Sequence, residues 1–386
     1  MSTPQIPQIT KRISAKSLDW HRVDIRVAVT ETPPPRSYIV GHLPERRGIY
    51  GMLIGPDGSR KSWLALHIAI AVAAGREVAG GLWPAPERGR VVFFTGEDVA
   101  QEMWHRIHSV AQNEDDATWL ADCDENLDII PLADGADGLT LICPSDEKAG
   151  FAQHPNVAAL IEYCKGARLI IIDPLADMVD ASENDDVAAR LLVQTLRSIS
   201  RETGAGVLVA HHQNKAAMGA GEKHNQTSRG SSKIPAGARW SVTLQPLSDK
   251  EAKDREIFDQ HFWTKVHEGK SSYSARTCSD NIALYHYPET TDATGKTVGG
   301  VPLARLLPVK EEPEAADGDV PKVSRAARKY RDKEQQSSGQ PPRPLRGRAN
   351  AMGVGADEFD ARFADVPPTD PAPFIKNAES DDDCPF

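Results

Sequence analysis

The chain is sparing with cysteine, with long apolar runs and with net positive charge, and each shortage excludes a class of protein. Its five cysteines, Cys123, Cys143, Cys164, Cys278 and Cys384, are scattered, odd in number and never spaced as CxxC. That pattern fits neither a disulfide framework nor a structural zinc site, and it suits a reducing compartment. No stretch approaches the ~20 consecutive apolar residues of a membrane span. The opening residues MSTPQIPQITKR hold no signal-peptide core. The expectation is a cytoplasmic protein without a membrane partner. The formal net charge of −10 gives the whole chain no attractive field for nucleic acid, so any such contact must come from a local basic patch.

What is present is enough for a large core. Over 386 residues, 40% are hydrophobic and 26% charged, which suits a globular protein with some disordered length. Residues 1–35 are polar and end in Pro33-Pro34-Pro35. They read as a flexible N-terminal arm, with a short helical or strand piece around 20–29. Residues 36–309 alternate short Val/Ile/Phe-rich runs with helical patterns, the signature of βαβ units and a mostly parallel twisted sheet. Buried strands are expected at 50–54, 91–95, 169–172 and 207–210, and helices at 61–74, 101–112, 157–165 and 187–203. Residues 310–386 contain ten prolines, few large apolar side chains and blocks of charge, basic over 322–348 and acidic over 357–383. Such a segment buries too little surface to offset its ordering entropy, and it reads as a disordered charged tail.

The chemistry begins at Gly55-Pro-Asp-Gly58-Ser59-Arg60-Lys61-Ser62, set between an expected strand and an expected helix. This is the setting of a phosphate-binding loop: exposed backbone N–H groups for the phosphates, Lys61 for the β/γ oxygens and Ser62 for Mg²⁺. The helix N-terminus adds its positive end. Arg60 stands where the general pattern has glycine, which is freer in backbone geometry. It either distorts the cradle or lends the nucleotide a charge.

The next three strands end in residues that an ATPase needs at the C-terminal edge of its sheet. The 91–95 strand runs into Glu97 and Asp98, the 169–172 strand into Asp173, and the 207–210 strand into His211 and His212. Singly, each has a plain alternative. Glu97 or Asp98 could cap the following helix. Asp173 could be a turn residue before Pro174, and the histidines could be solvated strand ends or zinc ligands, although no partner cysteines stand at ligand spacing. Four such strands in this order point to ATP and Mg²⁺ as cofactors.

With these residues in place, the stretch 37–307 resembles the RepA-type hexameric replicative helicases within the RecA/DnaB-like ATPases. The most specific portion is Met218-Gly-Ala-Gly, Ser228-Arg-Gly-Ser-Ser232 and Arg239-Trp240. The resemblance implies that Lys61 binds phosphate, Ser62 magnesium and Asp173 a magnesium-bound water. It implies Glu97 as activator of the attacking water and His212 as γ-phosphate sensor. Arg239 would be an arginine finger reaching the ATP of the next subunit, and a homo-hexameric ring comes with it.

Between His212 and Trp240 the chain is rich in Gly, Ser and basic residues and poor in aromatics, with Lys215, Lys223, Arg229 and Lys233. In a ring this segment would track a single-stranded DNA backbone without reading sequence. Lys265 and Lys270 are weaker candidates for the subunit interface. The chain ends Asp381-Asp382-Asp383-Cys384-Pro385-Phe386. This resembles the acidic tip of bacterial single-stranded-DNA-binding protein, whose terminal Phe and aspartates engage partner proteins. The plain alternative is a solubilising acidic tail. The function expected is an ATP-dependent, ring-forming single-stranded DNA translocase or helicase in plasmid, phage or mobile-element replication. The alternative is an ATP-dependent single-stranded-DNA-binding regulator or recombination mediator that does not unwind.

Overall fold

The structure, a computed structural model, describes residues 10–15, 18–45, 47–114, 118–121, 123–135, 138–145, 150–182, 185–212, 232–273, 282–287, 294–295 and 300–308. Strands β1 (Thr10–Ala15) and β2 (Leu18–Val23) form an antiparallel hairpin and lead into the short helix α1 (Ile25–Thr30), capped by Asp24. The arm segment therefore carries regular structure. A second small hairpin follows, β3 (Tyr38–Val40) with β4 (Leu43–Pro44).

The centre is one nine-stranded mixed sheet. Its parallel part comprises β5 (Tyr50–Gly55), β6 (Val91–Thr95), β7 (Leu127–Pro131), β10 (Leu169–Asp173), β11 (Gly206–His212) and β12 (Trp240–Pro246). The small hairpin of β8 (Ile142–Pro144) and β9 (Phe151–Gln153) stands apart from it. Three antiparallel strands extend the sheet beyond β12: β13 (Trp263–Ser271), β14 (Ile282–Tyr287) and β15 (Val301–Leu306). Across the sheet the order is β15-β14-β13-β12-β5-β11-β10-β6-β7.

Period-two alternation splits each central strand between two cores. Leu53, Phe93, Ile171 and Leu208 face the core that contains helix α2 (Lys61–Ala74). Met52, Ile54, Phe94, Ile172 and Val209 face the other, closed by α5 (Asn156–Tyr163) and α6 (Asp186–Thr203). Helix α2 is almost wholly buried, which explains why its sequence is apolar on every side. Helix α3 (Ala100–Gln112) borders the same layer, near the short α4 (Thr118–Ala121). Its first amide has no local cap and donates to Asp134 Oδ2 at 2.6 Å instead. Helix α6 starts on Asp185, which accepts from the amides of Val187 and Ala188, and stops at Gly204 with φ +82°. The short helices α7 (Lys233–Gly237) and α8 (Asp249–Asp254) flank β12, and α8 carries a Ser248–Glu251 capping box. The strands and helices expected from the sequence are present to within two residues at each end.

Candidate nucleotide site

Parallel pairing of β6, β10, β11 and β5 brings their C-terminal ends to one edge, and a cleft of about 390 Å³ opens there. Asp57, Gly58, Arg60, Lys61, Ser62, Trp63, Glu97, Arg106, Asp173 and His212 line it. The structure thus gathers the phosphate loop, Glu97, Asp173 and His212 around a single cavity.

The loop leaves β5 at Gly55, where a Cβ would lie 2.4 Å from Ser59 Oγ and 2.7 Å from the Leu244 carbonyl, so only glycine fits. Gly58 has φ +72°. Lys61 is buried, and its Nζ donates to the Gly55 carbonyl at 3.1 Å and the Pro56 carbonyl at 2.9 Å. These carbonyls hold the ammonium over the loop. Arg60 occupies the left-handed region at φ 67°, ψ 28°, which is why glycine is the usual choice there. Its guanidinium turns away from the cradle. Nη1 donates to Thr264 Oγ1 at 2.5 Å and Nη2 to the His261 carbonyl at 2.9 Å.

Asp173 ends β10 only 3% exposed. Burial raises its carboxyl to about 6, with Asp98 and Glu97 adding to the rise, while the Ser62 hydroxyl and the Lys61 ammonium oppose it. Its Oδ2 has no hydrogen-bond partner among the described residues. A buried carboxylate with an unused oxygen beside Ser62 and Lys61 fits a magnesium-bound phosphate, which Ser62 and Asp173 would hold. No cluster of three His, Cys, Asp or Glu side chains that could hold a metal occurs among the described residues. Magnesium needs none, because it takes most of its ligands from phosphate and water.

The two carboxylates after β6 have separate partners. Asp98 receives both Arg106 Nη1 (2.6 Å) and Nη2 (2.8 Å). Arg106 also bonds Glu102 and lies over the Trp63 ring, 5.6 Å from its centroid. Glu97 remains solvent-accessible at the mouth of the cleft, its Oε1 3.8 Å from His212 Nε2. His212 Nδ1 lies 2.6 Å from Asp57 Oδ1. Strand alternation buries His211 and turns His212 to the cleft. Asp57, Asp98 and Arg106 were not singled out as a set by the sequence. Arg106, eight residues past Asp98 on the following helix, was the available signal.

Arg239 sits at the opposite edge. Its N–H donates to the Tyr50 carbonyl and its carbonyl accepts from Ser272, both at 3.0 Å. Because β12 runs parallel to β5 with Trp240 opposite Gly51, Arg239 stands beside the start of β5 and the phosphate loop follows its end. The separation is roughly 16 Å along the strands. Arg197 Nη2 donates to the Gly237 carbonyl at 3.2 Å and Lys270 Nζ to the Ala236 carbonyl at 2.9 Å. Burial, then Arg239 and Arg197, lower the Lys270 ammonium from its usual range. Three cations therefore converge at this corner, around the buried Tyr50 phenol, which donates to the Ile234 carbonyl. Lys265 pairs instead with Glu251 at 2.5 Å.

Of the basic segment, only Lys233 is described, and it meets Asp186 Oδ2 at 2.8 Å. Lys215, Lys223 and Arg229 lie outside the described residues. So do the tail and its tip residues Asp381, Asp382, Asp383, Pro385 and Phe386. No helix among the described residues is long and apolar enough to cross a membrane.

A family model described as an AAA domain matches residues 14–218, more than half the chain. Among solved structures, one ATPase domain is 14% identical with a TM-score of 0.42, over 66% of this chain and 85% of that one. A KaiC-like protein from the hyperthermophilic archaeon Pyrococcus horikoshii OT3 is 16% identical with a TM-score of 0.41, over 67% and 96%. The RadB recombinase is 12% identical with a TM-score of 0.37, over 63% and 89%. With its phosphate loop, Asp173 and Glu97 around one cleft, the chain belongs to the AAA domain family, as an ATP-hydrolysing P-loop NTPase.

Proposed function

We propose that the protein is a ring-forming, ATP-driven translocase or helicase on single-stranded DNA, acting in plasmid, phage or mobile-element replication. The observation that carries this reading is the separation of Arg239 from its own phosphate loop, at opposite edges of one sheet. Phosphoryl transfer needs positive charge where the γ-phosphate develops charge, and a finger supplied by a neighbour is one established solution. Of the two arginines that line the cleft, Arg60 has its guanidinium engaged by Thr264 and His261, and Arg106 by Asp98 and Glu102. Arg239, with Lys270 and Arg197 beside it, supplies the cationic corner for the next copy's nucleotide. A homo-hexameric ring satisfies this requirement in every subunit.

Bound ATP and magnesium supply the phosphoryl group and its charge compensation. Gly55, Gly58, Ser59, Lys61 and Ser62 hold the phosphates, Arg60 contributing its backbone. Asp173 and Ser62 fix the metal shell, and Glu97 orients and deprotonates the attacking water. His212 reads the γ-phosphate position. Directly after it the chain enters the basic segment with Lys215, Lys223, Arg229 and Lys233, so movement at His212 passes to residues that grip DNA. The tip at Asp381–Asp383 and Pro385-Phe386 would recruit host proteins that bind the same acidic peptide on single-stranded-DNA-binding protein.

The test is hydrolysis with and without single-stranded DNA, beside strand displacement and mass measurement with and without ATP. Arg239→Ala should abolish hydrolysis while analogue binding persists. Arg229→Glu with Lys233→Glu should remove DNA stimulation only. Stimulated hydrolysis with no strand displacement by an assembled ring would select the non-unwinding regulator or recombination mediator.

A further inference from the structure

Arg60 is the residue whose presence the phosphate-binding role does not explain. A side chain at φ 67° is strained relative to glycine, and the guanidinium does not enter the cradle to offset it. Instead it joins the loop to β13. Thr264 Oγ1 accepts at 2.5 Å and the His261 carbonyl at 2.9 Å, and Thr264 is fully buried. Burial also lowers the Arg60 guanidinium from its usual range.

The far end of β13 is the cationic corner. Ser271 pairs with Trp240, Ser272 N–H donates to the Arg239 carbonyl, and Lys270 neighbours Arg239. From Thr264 to Ser271 is roughly 24 Å of extended chain, hydrogen-bonded along β12. One strand therefore touches the phosphate loop at one end and the arginine at the other. Taken with the reading of Arg239 as a finger, on which this inference rests, we propose that Arg60 is a positioning residue. It ties a subunit's own phosphate loop to the strand that presents Arg239 to its neighbour, and so sets turnover and cooperativity rather than nucleotide affinity.

The test compares Arg60→Gly, Thr264→Val, the double variant and Thr264→Ser in the full-length protein. It measures binding of a non-hydrolysable ATP analogue, kcat and the Hill coefficient for ATP. Glycine removes the backbone penalty and valine keeps the buried volume, so each should fold. Both singles should bind analogue within about threefold of the parent, lose about tenfold or more in kcat, and show Hill coefficients near one. The double variant should be no worse than either single, because both remove the same link. Thr264→Ser, which keeps the acceptor, should turn over as the parent does. Parental or faster turnover in Arg60→Gly, or loss of affinity in proportion to kcat, would overturn the tether. Arg239→Ala separates the two ideas. If it abolishes hydrolysis while Arg60→Gly and Thr264→Val hydrolyse normally, only the tether fails. If Arg239→Ala hydrolyses normally, the finger reading fails and the tether with it.

Discussion

His212 Nδ1 lies 2.6 Å from Asp57 Oδ1, which sets the end of β11 against the phosphate loop. Asp57 lies within the phosphate loop and lines the cleft, and its side chain touches the histidine that precedes the basic segment. Asp57→Asn keeps the side chain's size and removes its charge. The variant should bind nucleotide normally and lose most of the DNA stimulation of hydrolysis, about tenfold, as His212→Ala should. ATPase rates across a single-stranded DNA titration check this, and undiminished stimulation in Asp57→Asn would show that the contact transmits nothing.

Glu97 and Asp98 are adjacent carboxylates with opposite expected phenotypes. Glu97 is accessible at the cleft mouth, whereas Asp98 is clamped by both terminal nitrogens of Arg106. Glu97→Gln should retain nucleotide binding and lose about 100-fold or more in kcat, within the range for removing a general base. Asp98→Asn should cost stability, about 1–3 kcal/mol for a partly buried guanidinium left with the more exposed Glu102 as its carboxylate, and reduce kcat only a few-fold. Urea unfolding beside steady-state kinetics distinguishes them. The reverse pattern would exchange the two assignments.

This pair also marks where the sequence stops being legible. Strands buried on both faces announce themselves as continuous apolar runs, so β5, β6, β10 and β11 and the residues at their ends could be read directly. The edge strand β7 and the antiparallel strands β13 to β15 could not. They are half-exposed, shorter in pattern and interrupted by polar residues, as in Trp263–Ser271. Which of two neighbouring carboxylates Arg106 clamps depends on how α3 is set against β6, and the eight-residue spacing to Asp98 does not by itself decide between them. The left-handed backbone of Arg60 was signalled by the glycine it replaces, but the place where its guanidinium lands depends on β13, some two hundred residues later.

His67 gives the fold a defined acid sensitivity. It lies fully within the core on α2, where burial lowers its pKa to about 4, opposed by a hydrogen bond to the Pro302 backbone. The unfolded chain titrates this histidine near 6.5. Between pH 6.5 and 4 the unfolded state therefore binds more protons than the folded one. The contribution is fully present above pH 6.5 and is lost as pH falls towards 4, by about 3 kcal/mol. His67→Gln should flatten the stability profile in that window, whatever it costs at neutral pH. Urea midpoints from pH 4 to 7.5 would show it, and an unchanged slope would place the acid response elsewhere.

Behind Arg239, the Trp240 indole is wholly buried against Trp83, with ring centroids 5.4 Å apart, and its Nε1 donates to Glu268 Oε1 at 2.5 Å. Glu268 is itself fully buried, and His42 Nδ1 lies 2.7 Å from the same oxygen. Removing one donor from a buried carboxylate costs more than the bond it made, because the charge stays desolvated. Trp240→Phe loses both ring volume and that donor, and should destabilise the protein by about 3–5 kcal/mol. In a Glu268→Gln background the charge is gone before the donor is removed. There Trp240→Phe should cost less, by about 1–2 kcal/mol. If the two substitutions add without coupling in urea unfolding, the carboxylate does not depend on the indole, and packing alone holds the residue that opens β12.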